Sequence, residues 1–134
     1  MPRTRLPEVL AGIDDIGNRY GLKIANVFHA GDGNLHPNIL FDRQNQNELE
    51  LVELASKEIM QLCVDAGGTI TGEHGVGVDK RKYMTLVHGP AELEAMAAAK
   101  RVFDPASLFN PGKVLPDVEG EGTKKSEKIL AMGE

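Results

Sequence analysis

Two histidines bracket a short turn in the stretch HAGDGNLH, residues 29 to 36. Side chains alternate along a strand, so a hairpin through this turn can place His29 and His36 on neighbouring strands with the same face in common. Such a pair lacks only a third ligand for an open catalytic metal site. The stretch alone leaves two interpretations open: metal ligands, or histidines that merely flank a tight turn.

The stretch GEHG, residues 72 to 75, supplies a candidate third ligand. Glu73 follows a short strand predicted at Thr69–Thr71, and its flanking glycines allow the backbone to approach a ligand closely. His29, His36 and Glu73 would form a two-histidine, one-carboxylate set that suits zinc, iron or manganese and leaves positions for water or substrate. His74 would then stay off the metal, and its imidazole could take a proton near neutral pH.

Helices and strands must position these residues. Apolar residues at helical spacing predict a helix from Leu6 to Tyr20, with Pro7 in its first turn and Gly21 at its exit. The other predicted elements are strands at 22–29 and 35–42, a helix at 46–66, the strand at 69–71 and a helix from Pro90 through Val102. Residues 103–116 hold too many prolines for regular structure and are interpreted as a turn and an extended strap.

The order of these elements predicts an α+β fold, with helices on one face of an antiparallel sheet as in ferredoxin-like folds. A complete unit of that type begins with a strand, whereas this chain begins with a helix. We therefore expect the ferredoxin-like unit to be incomplete at its N-terminus. Residues 117–134 are polar and dotted with glycine, and we expect them to form a disordered tail.

The composition excludes several classes of function. The chain has 134 residues and a net charge of -5, which leaves room for one domain and gives no basic footprint for nucleic acid. No apolar run approaches the roughly 20 residues needed to span a bilayer. The single cysteine, Cys63, lies on the apolar stripe of its helix and is predicted to fill the core. We expect a cytoplasmic domain with no nucleic-acid partner.

Three motifs occur in order along the chain: NVFHAGDGNLHPNILFD, GGTITGEHGVGVDKRKYM and FDPASLFNPGKVLP. Together they closely resemble the C-terminal part of FAD-linked 2-hydroxyacid oxidoreductases, flavoproteins of the vanillyl-alcohol-oxidase type. Members of the glycolate-oxidase type are the most similar, with D-lactate and D-2-hydroxyglutarate dehydrogenases as relatives. The resemblance extends from Pro2 to Pro116, and three separate motifs in one order make it specific.

The resemblance implies a role for individual residues. The implied metal ligands are His29, His36 and Glu73, the implied general base is His74, Asn38 is expected near the substrate carboxylate or hydroxyl, and Asn110 in the NPGK strap is expected on the flavin side. The bound metal would be zinc, manganese or iron. We expect residues 1–116 to be the cap, or substrate domain, of a longer enzyme.

The implied function is oxidation of a small 2-hydroxy acid, of the glycolate or D-lactate type, to the 2-oxo acid with FAD as the electron acceptor. FAD would be bound mainly by an upstream flavin-binding domain that this sequence does not include, so we expect the chain to be inactive alone. The resemblance also implies an iron–sulfur subunit as a partner, and through such partners a location at the inner face of the membrane.

Two other classes of function fit the residues without the resemblance. The chain could be a stand-alone metal-binding module, or a small metallohydrolase, built on His29, His36 and Glu73. Alternatively, it could be a structural domain that forms a homo-oligomer through an exposed sheet edge, because an edge strand presents unpaired backbone groups.

Overall fold

The computed structural model describes residues 1–116, and the tail predicted at 117–134 lies outside these described residues. Backbone contacts divide the chain into two compact units, Met1–Gly75 and the residues from Val76 onward. The first unit contains α1 (Leu6–Tyr20), β1 (Lys23–His29), β2 (Asn34–Leu40) and α2 (Gln46–Asp65), and the second contains α3 (Pro90–Phe103). Short 3-10 helices occupy Arg3–Arg5 and Arg81–Leu86. The predicted α+β class is confirmed.

The predicted helix boundaries agree closely with the structure because the capping residues act as expected. α1 has Pro7 in its first turn and ends at Gly21, whose left-handed φ of 67° suits glycine. α2 begins after Asn45, whose side chain accepts hydrogen bonds from the backbone N–H groups of Asn47 and Glu48. No helix in the described part of the chain is long and apolar enough to cross a membrane.

β1 and β2 form an antiparallel hairpin across a four-residue loop, residues 30–33, as the sequence predicts. In its register Ile24 pairs with Ile39, while His36 pairs with Val27. Paired residues share a sheet face and the next pair along takes the other. The hairpin therefore has one face that carries isoleucines and another that carries histidines.

The core of the first unit lies between α1, α2 and one face of this hairpin. Its buried members are Val9, Ile13, Ile16, Ala55, Ile59, Cys63 and Ala66. Ile24, Leu35 and Ile39 of the hairpin pack against this cluster. Both helices thus cover the same sheet face, and the predicted core position of Cys63 is confirmed. The histidine face stays uncovered by them.

The strand predicted at Thr69–Thr71 is wrong. Within the described residues the sheet has two strands, β1 and β2, and residues 69–75 form a loop after α2. Ile70 is buried with 4% exposure. The burial of this β-branched side chain, and not a ladder of backbone hydrogen bonds, therefore anchors the loop. The glycines at 72 and 75 also lower the preference for a strand.

Asp104 anchors the strap in the second unit, directly after α3. Its carboxylate accepts hydrogen bonds from the Lys100 ammonium (2.6 Å) and from the backbone N–H groups of Leu108 (2.8 Å) and Phe109 (3.0 Å). Lys100 also donates to the Phe109 carbonyl oxygen (2.9 Å). These contacts hold the segment that leads to Asn110. The hydrogen bond from Lys100 also lowers the pKa of the Asp104 carboxyl.

We expect this anchor to weaken in acid. The pKa of Asp104 lies below its usual 3.8 in the folded chain, so its stabilising effect is complete above 3.8 and is lost as the pH falls through the lowered value. Carboxyl ¹³C and amide NMR titrations should show Asp104, Leu108 and Phe109 changing together with a midpoint below 3.8.

Lys100→Met should raise that midpoint, because the strongest partner of the carboxylate is removed. Lys57→Met, on α2 in the other unit, is the matched control and should leave the midpoint unchanged. An unchanged midpoint in Lys100→Met would contradict the anchor.

Candidate metal centre and active site

The hairpin brings His29 and His36 together, as the sequence predicts. His29 ends β1 and pairs with Asn34, and His36 lies two residues further along β2 on the same face. The two imidazoles are therefore diagonal cross-strand neighbours, a separation that large side chains can bridge. Their ring centroids lie 5.5 Å apart with the planes nearly perpendicular.

Glu73 completes the predicted ligand set from the loop after α2. Its Oε1 atom lies 3.2 Å from Nε2 of His36 and 3.9 Å from Nε2 of His29. One ligand atom from each of the three residues lies within 4.8 Å of the other two. Ligand atoms around one tetrahedral zinc are about 3.4 Å apart, since the bonds to zinc are about 2.1 Å long. The spacing fits one divalent ion.

The chemistry of these donors also fits a cation. An ionised carboxylate offers only lone pairs, and an imidazole nitrogen facing it offers either a lone pair or an N–H. If both imidazoles present lone pairs to Oε1, the three atoms repel unless positive charge lies among them. A divalent metal supplies that charge, and an N–H presented by either imidazole also removes the repulsion.

His74 lies at the border of this cluster. Its Nε2 is 3.5 Å from the same Glu73 oxygen, and its ring centroid is 5.1 Å from that of His36. Among the described residues it does not belong to the mutually close ligand set. Its side chain is 72% exposed, so it can exchange protons with water or with a bound substrate. This position agrees with the predicted separation of base from metal ligands, although the role itself stays a prediction.

Asn38 lies on the histidine face, where the sequence predicts it, and pairs with Ala25 across the hairpin. Its Nδ2 donates to the backbone oxygen of His36 at 3.0 Å. The side chain is therefore held beside the second histidine on an exposed surface. Its predicted contact with substrate stays a prediction.

Sequence reasoning missed the part that Asn34 takes in this cluster. The predicted strand at 35–42 leaves Asn34 in the turn, but Asn34 is the first residue of β2 and its Nδ2 lies 3.3 Å from Nε2 of His36. The signal was present in the strand period, because residues 34 and 36 share a face. Asn is also an ordinary turn residue, so the sequence pattern fits a turn at this position as well.

Asn110 lies in the second unit, in the strap anchored by Asp104. Its backbone has a φ of 46°, a left-handed conformation that asparagine tolerates better than most residues. It lines a cavity of about 370 Å³ with neighbours from α3 and the strap: Met96, Lys100, Phe109, Lys113, Val114 and Leu115. This concave surface can take part of a ligand, and the predicted flavin contact stays a prediction.

Comparison with known proteins identifies the family of the chain. Residues 1–114 match the model of the family described as "FAD linked oxidases, C-terminal domain". The chain belongs to this family. The family membership confirms the resemblance seen in the three motifs.

Several known proteins are similar to the chain over most of its length. The chain is 47% identical over 116 residues to glycolate oxidase subunit GlcD of Escherichia coli and 43% identical over 114 residues to that of Bacillus subtilis. These matches cover 87% and 85% of this chain but 23% and 24% of the relatives. A D-2-hydroxyglutarate dehydrogenase of Stutzerimonas stutzeri is 40% identical over 114 residues. The chain thus spans about a quarter of the length of these relatives.

The ligand set predicts zinc binding that depends on His36. Loss of a partner outside the ligand set usually weakens metal binding roughly 10–100-fold. We expect His36→Ala to weaken zinc binding by more than this, because it removes a ligand itself. Competition with a chromophoric chelator measures the affinity of the whole chain. His88→Ala is the control, since His88 lies before α3 in the other unit, and equal affinity in His36→Ala and the parent would eliminate the site.

Proposed function

We propose that this chain forms the substrate- and metal-binding part of an FAD-dependent oxidoreductase that oxidises a small 2-hydroxy acid to the 2-oxo acid. The observation that carries the proposal is the convergence of His29, His36 and Glu73 beside His74 in a chain of the FAD-linked oxidase family. The names of the relatives, glycolate oxidase subunit and D-2-hydroxyglutarate dehydrogenase, favour this class of substrate.

The reaction removes two hydrogens from the substrate. The hydroxyl proton leaves as the C=O bond forms, and the hydrogen on the α-carbon leaves with its electron pair. FAD, when bound, accepts that hydride. No amino-acid side chain can serve as the acceptor in its place. A divalent metal, when bound, supplies positive charge that stabilises a developing alkoxide.

The residues of this chain would bind the metal and the substrate and accept the hydroxyl proton. His29, His36 and Glu73 would hold the metal, and Asn38 on the same face would lie near the substrate carboxylate or hydroxyl. His74 accepts the hydroxyl proton at its imidazole, because it is the exposed histidine next to the ligand set. An amide and an imidazole on one open face can engage a small acid from the same side.

The exposure of the site also supports the proposal that another domain covers it. The side chains of His29 and Glu73 are 56% and 52% exposed, so water reaches the cluster in this chain. Hydride transfer to a flavin needs water to be excluded. The match covers 23% of the Escherichia coli relative, so most of that relative lies outside the matched region. We propose that a flavin-binding domain covers this face and that Asn110 contacts the flavin. An iron–sulfur subunit remains a further proposed partner.

A chimera tests the proposal with the protein in a complete enzyme. Residues 1–116 would replace the matching region of the Escherichia coli relative, which would be assembled with its other subunits, and oxidation of glycolate and D-lactate would be followed with a dye acceptor. We expect the chimera to oxidise at least one of these acids. The isolated chain should carry no flavin absorbance after dialysis and should not turn over.

His74→Gln in the chimera should lower kcat by roughly 10²–10⁴-fold, the usual contribution of general base catalysis, with flavin absorbance retained. Asn38→Ala should instead raise KM more than it lowers kcat, since it removes a substrate contact. His88→Gln is the matched histidine control. An unchanged kcat in His74→Gln would contradict the role of base.

A stand-alone metal-binding module is the second candidate, because all three proposed ligands lie within the first unit. It requires zinc binding by the isolated chain and no gain of oxidase activity in a well-folded chimera that holds its flavin. Oligomerisation through a sheet edge is a third proposal, and a strictly monomeric mass in solution would contradict it.

A further inference from the structure

The histidine face of the hairpin carries a polar and an apolar row of side chains next to the proposed ligands. On β2 the face presents His36 and Asn38, and directly opposite them on β1 it presents Val27 and Ala25. Val27 is 57% exposed and Ala25 is also exposed, although both side chains are apolar. Next to His29, β1 therefore offers carbon atoms rather than hydrogen-bonding groups to a molecule bound on this face.

The proposed ligands determine where the polar end of a substrate would lie. His29 and His36 are diagonal neighbours on this face, and Asn38 is the next residue of β2 on the same side. An acid that meets the metal with its hydroxyl and Asn38 with its carboxylate would place its α-carbon between them. Val27 borders this position, because it pairs with His36 and is diagonal to Asn38. Cβ atoms of paired residues are about 5 Å apart and those of diagonal neighbours about 7–8 Å.

We propose that Val27 is a specificity-determining residue of this site, and that its side chain contacts the substituent on the α-carbon of the substrate. This inference rests on the proposed function, because it requires an acid held at the metal centre and Asn38. A short alkyl substituent would lie against the valine methyl groups and remove apolar surface from water.

The surroundings of Val27 disfavour a charged substituent. Such a group would lose hydration beside the valine and would need a partner of opposite charge. Lys23, the lysine of this face, begins β1 at the opposite end of the strand from His29. Its position separates it from the proposed metal centre by most of the strand. The site therefore suits 2-hydroxy acids that carry hydrogen or a short alkyl group on the α-carbon.

The chimera tests this contact through ratios of kcat/KM between acids. Glycolate has only hydrogen at the α-carbon, whereas D-lactate adds a methyl group and D-2-hydroxybutyrate an ethyl group. Val27→Ala removes the contact with the methyl group and gives space to the ethyl group. It should raise the ratio of D-2-hydroxybutyrate to D-lactate roughly 10-fold, since one methylene group in an apolar pocket changes kcat/KM by about 10–200-fold.

Val27→Thr tests the apolar character of the contact at nearly constant volume. Its hydroxyl group would lose hydration against the substituent, so the ratio of D-lactate to glycolate should fall roughly 3-fold or more. Leu40→Ala and Leu40→Thr are the matched controls, because Leu40 is an exposed apolar residue of the same face beyond Asn38. They should leave both ratios unchanged. Unchanged ratios in the two Val27 variants, or equal changes in the Leu40 variants, would overturn the proposal.

Nuclear Overhauser effects provide a readout that requires neither flavin nor turnover. In the whole chain loaded with zinc, the methyl protons of D-lactate should show intermolecular effects to the methyl groups of Val27 and none to those of Leu40. Absence of the effect at Val27 would overturn the inference. A chimera that holds flavin and oxidises none of the acids would defeat the proposed function. The NMR measurement would then still decide whether Val27 meets the substituent.

Discussion

The register of the β1–β2 hairpin is the constraint on which the site depends. Ile24 and Ile39 face each other on the side that packs against α1 and α2, and this burial fixes which residues point away from the helices. A slip of one residue would move every side chain of the slipped strand to the other face. His29 and His36 would then lie on opposite faces and share no ligand. The apolar core and the proposed metal centre are therefore specified by one pairing.

The ligands differ in how firmly the fold holds them. The histidines lie on paired strands, whereas Glu73 and His74 lie in a loop that joins no sheet among the described residues. Ile70 anchors that loop in the core, and Gly72 rests against Asn34. Segments with few backbone partners open at low free energy, and a ligand that binds the closed form stabilises it. A metal ion at this position would order the loop as it binds.

Much of this arrangement could be predicted from sequence because it depends on local rules. Pro7 and Gly21 mark the ends of α1, and the strand period alone places His29 and His36 on one face. The loop at Thr69–Thr71 could not be predicted in this way, because a short β-branched run is equally suited to a strand or to a buried anchor. The contact between Asn34 and Gly72 joins residues far apart in sequence, so no local pattern contains it. The role of FAD came from the motif resemblance.

The exposed cluster supplies groups that can bind a metal and an acid, but the proposed reaction requires further groups. Its oxygen and nitrogen donors lie close together, a spacing that fits a cation. Removing a hydride needs an acceptor in contact with the substrate and a site without water, and the histidine face is open in this chain. Electrostatic stabilisation by a metal is also weaker where water screens it. The surface that we propose to bind metal and acid would gain its catalytic effect only when a flavin-bearing partner covers it.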